Sequence, residues 1–285
     1  MKIAVSGSNG FIGQNLITQL KAANHMVLRV QRSELGDVDQ LTKTLSGSDV
    51  VISLAGVPIL KRWTEANKNE IIRSRIDSTQ NIVHAINQLP FEQRPDLFIS
   101  ASAIGIYSPN KVHTEESTSF STDFVAEVVK SWEKASDDLN TEVRKVIFRI
   151  GLVLGKEAKT IKSLVPLFKM GLGGKIGSGK QPFPFVHISD AIGALNWCIE
   201  NRNAQGIYNL VAPENIDNKT FTETLAESLN KPAIFTVPEF VLKIALGEAS
   251  VLLLQNPHVY PQRLLKEGFT FNFPDIHSTI KEITQ

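Results

Sequence analysis

The sequence predicts an α/β protein: a doubly wound parallel sheet followed by a smaller C-terminal α+β lobe. Three observations carry that expectation. Short apolar runs alternate with helix-length amphipathic stretches over the first 150 residues, as in strands buried on both faces and joined by crossover helices. A glycine loop stands directly between the first apolar run and the first amphipathic stretch, the place where α/β folds turn from strand into helix. After Gly155 the repeat gives way to loop-rich sequence at 171–174 and 177–179, followed by Pro182 and Pro184.

Taken in order, residues 3–6, 26–31, 49–54, 97–102 and 146–150 read as buried strands. Leu16, Ile17 and Leu20 give the segment after the first strand an apolar face. Between the third and fourth strands, Ile72, Ile76, Val83 and Ile86 mark one stripe of a long helix that starts after Trp63 and Thr64. Such a helix is the crossover that parallel strands require. Asp123 can cap another helix running through Glu127, Trp132 and Leu139, after which the chain returns to the strand containing Arg149. Residues 186–190 and 207–211 look like a return to the sheet, and the part from Pro213 to the Phe269, Phe271, Phe273 alternation reads as the smaller lobe. The apolar tract 241–254 is broken by Lys243, Gly247 and Glu248 and suits a buried or interface helix better than a bilayer.

With 42% hydrophobic residues, 21% charged and a formal charge of +1, the chain lacks the basic excess that phosphate-backbone binding needs. Nucleic acid is therefore not the expected partner. The one cysteine, Cys198, can form no internal disulfide and reads as a core residue of a protein in a reducing compartment. The N-terminus reaches a glycine loop too soon for a signal-peptide apolar region, and no window approaches the ~20 apolar residues of a membrane span; the expectation is a cytoplasmic protein with no membrane partner. Six scattered histidines give no metal site.

The loop itself is Gly7, Ser8, Asn9, Gly10, Phe11, Ile12, Gly13, a G-x-x-G-x-x-G pattern. Gly7 permits the tight turn, Gly10 lets the backbone approach a pyrophosphate, and Gly13 lets the helix pack close to the sheet. The first-turn N–H groups and the helix dipole then face the phosphates. Strand, spacing and helix together indicate a Rossmann dinucleotide-binding fold, with 1–155 and 185–212 forming that domain and 156–184 and 213–285 the substrate-binding lobe. At the end of the second strand an acidic residue would receive an unphosphorylated ribose; the chain reads Val30, Gln31, Arg32, Ser33 instead. Arg32 can receive a 2′-phosphate. NADP(H) is the expected cofactor, with NAD(H) as the alternative should Glu34 or Asp37 turn toward the ribose.

With this clamp, Leu54, Ala55 and Gly56 after the third strand and Ser100, Ala101 and Ser102 at the fourth, the sequence resembles an extended short-chain dehydrogenase/reductase, and within it the atypical nucleoside-diphosphate-sugar epimerase-like branch. Further matches run along nearly the whole chain: 62–64, 74–75, 102–107, 132–133, 149–155, 171–179, 187–190, 261–264 and 268–269. The resemblance implies cofactor contacts at Leu54, Ala55, Gly56, Ser100, Ala101 and Arg75, although Arg75 also reads as a helix-surface charge. It places Arg149 and His187 at the substrate cleft; for His187 a hydrogen-bonded structural role is the competing reading. Relatives that pair through the helices after Thr64 and Asp123 imply a homodimer.

One departure stands out. The superfamily moves its proton with a Tyr-x-x-x-Lys pair on one helical face, the ammonium lowering the tyrosine pKa. The helix after Asp123 has Phe124 and Val128 there, and neither can carry a proton. Tyr107 and Lys111 match the spacing, but Pro109 between them, in a turn signature with Asn110, takes the pair off a helix. Tyr107 remains the acid/base candidate, with packing against a cofactor or loop as its other reading, and Ser102 the residue that orients a substrate carbonyl or hydroxyl. The expected function is an NADP-dependent oxidoreductase or epimerase acting on a small polar or nucleotide-linked molecule. A protein that binds NADP(H) without turnover, as a redox sensor or regulator, is the alternative.

Overall fold

The computed structural model describes residues 1–109 and 111–285; Asn110, half of the turn read with Pro109, lies outside them. The first half of the chain runs β1 (Lys2–Ser6), α1 (Phe11–Ala22), β2 (Met26–Arg29), α2 (Val38–Leu45), β3 (Val50–Ser53), α3 (Glu65–Gln88), β4 (Leu97–Ala103), the short β5 (Val112–His113), α4 (Phe124–Lys134) and β6 (Arg144–Ile150). The second half continues with β7 (Leu152–Leu154), α5 (Lys159–Lys169), β8 (Gly174–Ile176), β9 (Phe185–His187), α6 (Ile188–Glu200), β10 (Gly206–Leu210) and α7 (Asn218–Ser228). It ends with β11 (Phe235–Val237), α8 (Glu239–Leu246), α9 (Val251–Leu254), β12 (His258–Val259), α10 (Gln262–Lys266) and α11 (Ile276–Thr284).

Six strands form one sheet in the order β10-β6-β4-β3-β1-β2, every neighbouring pair parallel. This is the doubly wound Rossmann arrangement, with its switch of direction between β1 and β3, beyond whose carboxyl ends such folds bind ligands. Strand pleating decides which side chains go to which core. Ile3, Val5, Val50, Ile52, Leu97 and Ile99 enter one core with Leu16 and Leu20 of α1 and Ala191 and Leu195 of α6. Ala4, Val51 and Phe98 enter the other with Leu41 and Leu45 of α2 and Ile82, Val83 and Ile86 of α3.

Helix starts follow the caps. Thr64 accepts from the Asn67 amide, and Asp123 from the Ala126 amide, each satisfying one of the N–H groups a helix start leaves unpaired.

Several boundaries differ from the sequence expectation. β2 ends at Arg29 and α4 at Lys134, short of Gln31 and Leu139. Residues 186–190 do not join the main sheet: β9 pairs with β7 alone, and Asp190 sits buried in α6. Its carboxylate accepts from the Asn272 and Phe273 amides at 2.8 and 2.9 Å, so the aromatic alternation at 269–273 is held as a loop. Phe269 and Phe271 insert into the main core instead of a separate lobe. The tract 241–254 is buried only in part: Ala249 is in a core against which Leu246, Val251 and Leu252 pack, while Val241 and Ile244 of α8, with Phe240 before them, face outward. The smaller C-terminal part centres on α7 and α11, where Phe221, Leu225, Ile276 and Ile280 pack with Phe185.

Candidate functional site

Gly7 leaves β1 with φ +70°, a conformation L side chains rarely adopt. A Cβ there would lie 2.5 Å from the Leu54 carbonyl carbon, and one at Gly13 would lie 2.3 Å from the Gly7 carbonyl oxygen. The loop therefore turns tightly against β3 and seats α1 on it. The Gly10 amide donates to the Gly7 carbonyl at 3.0 Å, and Gly10 caps α1 with no side chain over the helix start. Phe11 points inward to Gly155 and Ile12 into the main core; what these residues offer a ligand is backbone N–H. The helix-start donors that remain, the Phe11, Ile12 and Gly13 amides at a dipole's positive end, make a seat for phosphate.

A cleft of about 880 Å³ opens here, lined by Gly7, Ser8, Asn9 and Gly10, by Arg32, and by Ala55 and Gly56. The Arg32 guanidinium is 81% exposed, with Glu70 at 3.6 Å. Both carboxylates that could have served an unphosphorylated ribose are engaged elsewhere. Glu34 accepts from the Gln31 amide at 2.5 Å and the Thr44 hydroxyl at 2.6 Å, and Asp37 caps α2 through the Gln40 amide. The fit to a dinucleotide phosphate rests on this glycine cradle and exposed cation.

α3 supplies a wall that the sequence reading missed: Asn69, Arg73, Asp77 and Asn81 line the cleft at four-residue spacing, one polar stripe opposite the apolar one. That periodicity is visible in the sequence.

Other expected contacts lie elsewhere. Leu54 packs against the core, and Ser100 and Ala101 are buried in β4, the serine hydroxyl bonded to the Ala101 carbonyl. Arg75 is neither a surface charge nor part of the cleft lining. Its guanidinium donates to the Val57 and Ile71 carbonyls at 3.0 and 3.2 Å and stacks on Trp132, holding the β3–α3 loop. Burial brings its pKa down to about 10, because no carboxylate offsets the lost hydration.

Ser102, Tyr107 and Arg149 come together, but in a closed network. Arg149 meets Glu133 fork to fork, Nε and Nη2 each 2.8 Å from a carboxylate oxygen, and its Nη1 donates to the Tyr107 hydroxyl at 2.9 Å. Ser102 donates to the same Glu133 carboxylate at 2.6 Å. The Tyr107 hydroxyl sits 2.8 Å from Asn209 Oδ1 and 3.1 Å from the Thr114 carbonyl, its ring stacked on His113. Burial raises the Tyr107 pKa although Arg149 opposes the shift. For Arg149, burial works against the charge, and Glu133 more than offsets it, raising the pKa. Tyr107 is 2% exposed and lines the strand-end cavity described below, its hydroxyl held in this network, and Arg149 and Ser102 are both tied to Glu133.

His187 likewise has the structural role. Its Nδ1 accepts from the Ser189 amide at the start of α6, leaving the proton on Nε2 to face Glu282 at 3.0 Å.

A second cavity of about 290 Å³ lies across the β4 and β6 strand ends, between Ile59 and Leu60 on one side and Leu252 and Leu253 on the other. Val125 of α4 lines it beside Gly105, where a Cβ would lie 2.6 Å from Val125 Cγ1. Val128 is buried and Phe124 packs on Trp63, so the helix face that should carry tyrosine and lysine is apolar.

The family model for the NAD dependent epimerase/dehydratase family matches residues 3–210, and that for a domain of unknown function, DUF1731, matches 237–283. Similar curated proteins include the Epimerase family protein SDR39U1 of Mus musculus, 34% identical with 99% of each chain covered. A homologue described as chloroplastic, from Arabidopsis thaliana, is 32% identical over 100% of this chain and 87% of its own. The crystal structure of human epimerase family protein SDR39U1 with NADPH superposes with a TM-score of 0.94 at 33% identity, covering 100% of this chain and 99% of that one. Among the described residues no helix is long and apolar enough to cross a membrane.

Proposed function

The chain belongs to the NAD dependent epimerase/dehydratase family, and from that premise we propose that it is an NADP(H)-dependent oxidoreductase or epimerase acting on a small molecule. The observation that carries this is the glycine cradle opening beside Arg32 while Glu34 and Asp37 are occupied. The similar human protein was crystallised with NADPH, which supports the same cofactor here. When bound, the nicotinamide accepts or returns a hydride. The chain's part is to hold and exclude: Gly7 to Gly13 seat the pyrophosphate, Arg32 receives the 2′-phosphate, and the apolar cavity at the strand ends keeps water from the reacting carbon.

Titration of the purified protein with NADPH and NADH tests it. NADPH is expected to bind more tightly, and Arg32→Ala to weaken NADPH by roughly ten- to hundredfold, the loss of a charge-assisted hydrogen bond, with NADH unchanged. Absence of binding by either nucleotide at millimolar concentration would overturn the reading. A second reading, binding without turnover, is favoured by the apolar Phe124, Val125, Val128 face and the locked Tyr107 hydroxyl. NADPH consumption with any of a panel of carbonyl compounds decides for the enzyme.

A further inference from the structure

We propose that the cavity at the β4 and β6 strand ends takes an uncharged, largely apolar substrate, and not a nucleoside diphosphate sugar. The inference rests on the proposed cofactor reading only in calling the occupant a substrate.

Three features of the wall argue for it. First, its side chains are mainly hydrocarbon: Ile59, Leu60, Val125, Leu152, Phe183 and Leu252 come from separate parts of the chain and converge on one space. Second, among the described residues that line it there is no lysine, arginine or histidine, and the one carboxylate, Asp123, is of the wrong sign for a diphosphate. A diphosphate needs cations or a fan of N–H donors, because an uncompensated anion is costly to take out of water. The cations Arg32 and Arg73 stand at the other cleft, so phosphate chemistry and cavity chemistry are kept apart. Third, four of the polar side chains that line it, Tyr107, Gln181, Asn218 and Asp123, already hold partners within the protein. The Gln181 amide nitrogen lies 3.1 Å from the Ile176 carbonyl oxygen and 3.4 Å from that of Leu253. Asn218 Oδ1 accepts from the Ile176 amide at 2.8 Å. Asp123 accepts from the Ala126 amide and the Ser121 hydroxyl. The other polar side chains, Gln255 and Asn256, are two adjacent uncharged amides, too few to replace the water that the hydroxyls of a sugar would lose. At about 290 Å³ the space is also at the small end of ligand clefts, roughly 300–1,000 Å³.

The test is calorimetric titration of the full chain, with and without NADPH, using straight-chain methyl ketones of increasing length and UDP-glucose. Saturable binding should tighten by about three- to fourfold for each added methylene until the cavity is filled, the fold-change corresponding to ~0.8 kcal/mol per buried CH₂. UDP-glucose should bind more weakly than the longest fitting ketone. Leu252→Asp should abolish ketone binding, and Leu60→Asp, at a half-exposed rim position where folding is little at stake, should weaken it while leaving NADPH affinity unchanged. Ketone affinity that does not change with length, or tighter binding of UDP-glucose, overturns the inference. Failure of NADPH to bind in the same samples sinks the cofactor reading instead, and the two failures are read on separate isotherms.

Discussion

Glu133 is the residue on which the strand-end network turns, since Ser102 and Arg149 both bind its carboxylate. Arg149→Met removes one partner of a buried pair and should destabilise the fold by about 3–5 kcal/mol in denaturant unfolding, because the remaining carboxylate stays buried without its cation. Tyr107→Phe should cost about 1–3 kcal/mol, since Arg149 Nη1 and Asn209 Oδ1 both lose a buried partner; an unchanged midpoint would show the hydroxyl to be idle. Glu115 gives a pH signature. It accepts from the Asn209 and Arg263 amides, yet burial outweighs these bonds and raises its pKa above the ordinary 4.5. The folded chain therefore holds this proton more tightly than the unfolded one. Its contribution to stability is complete below pH 4.5 and is lost as pH rises through the folded-state value. Glu115→Gln should flatten that part of a stability-versus-pH curve measured against wild type. None of these partnerships was legible in sequence: Tyr107 and Asn209 stand 102 positions apart, Arg149 and Glu133 sixteen.

Helices and turns were far more legible. The Asp123 cap, the start of α3 after Thr64 and the Gly7 turn all depend on neighbours a few positions away, and the structure has them where local chemistry put them; of the expected α3 stripe Val83 and Ile86 are buried, whereas Ile72 and Ile76 are only partly covered. Thr64→Ala should cost α3 about 0.5–2 kcal/mol in thermal or denaturant unfolding, the loss of one N-cap bond. Gly13→Ala is a sharper probe of the α1 junction. Its Cβ would meet the Gly7 carbonyl at 2.3 Å, so about 1–3 kcal/mol of overpacking strain is expected, along with weakened NADPH binding as the cradle shifts. Full NADPH affinity in a folded Gly13→Ala protein would mean that the loop does not seat the phosphate. The polar stripe of α3 was not legible as a site because a polar helix face reads the same whether it meets solvent or a cleft, and only the docking of α3 beside the glycine loop makes it a wall. For α8 the sequence left a buried and an interface helix open, because hydrophobicity says what a side chain favours, and burial also requires something packed over it.

At the scale of the whole molecule, the two halves share their cores. Leu264, Phe269 and Phe271, from beyond the region matched by the epimerase family model, pack with Val146, Phe148 and Tyr208 of the main sheet, and His187 ties the start of α6 to Glu282 of α11. A fragment ending at residue 210 should therefore fail to fold cooperatively, since three large side chains worth about 1.5–3 kcal/mol each would be missing from a domain whose total margin is of that order. The full chain should unfold in one transition seen identically by fluorescence and circular dichroism; two separated transitions would show an independent C-terminal lobe. What the sequence by itself determined was the parallel sheet, its crossover helices and the glycine turn, since strand alternation, helical periodicity and backbone freedom are properties of neighbours along the chain. Only the tertiary structure decided which charged and polar side chains face a ligand and which face one another. Arg75 and His187 each carried a site reading and a structural or surface one, and Arg149 a site reading alone; the sheet order and helix docking bring Val57, Glu282 and Glu133 within hydrogen-bonding reach of them, because such partners are chosen by proximity in space and a buried polar group must take the partner it is given.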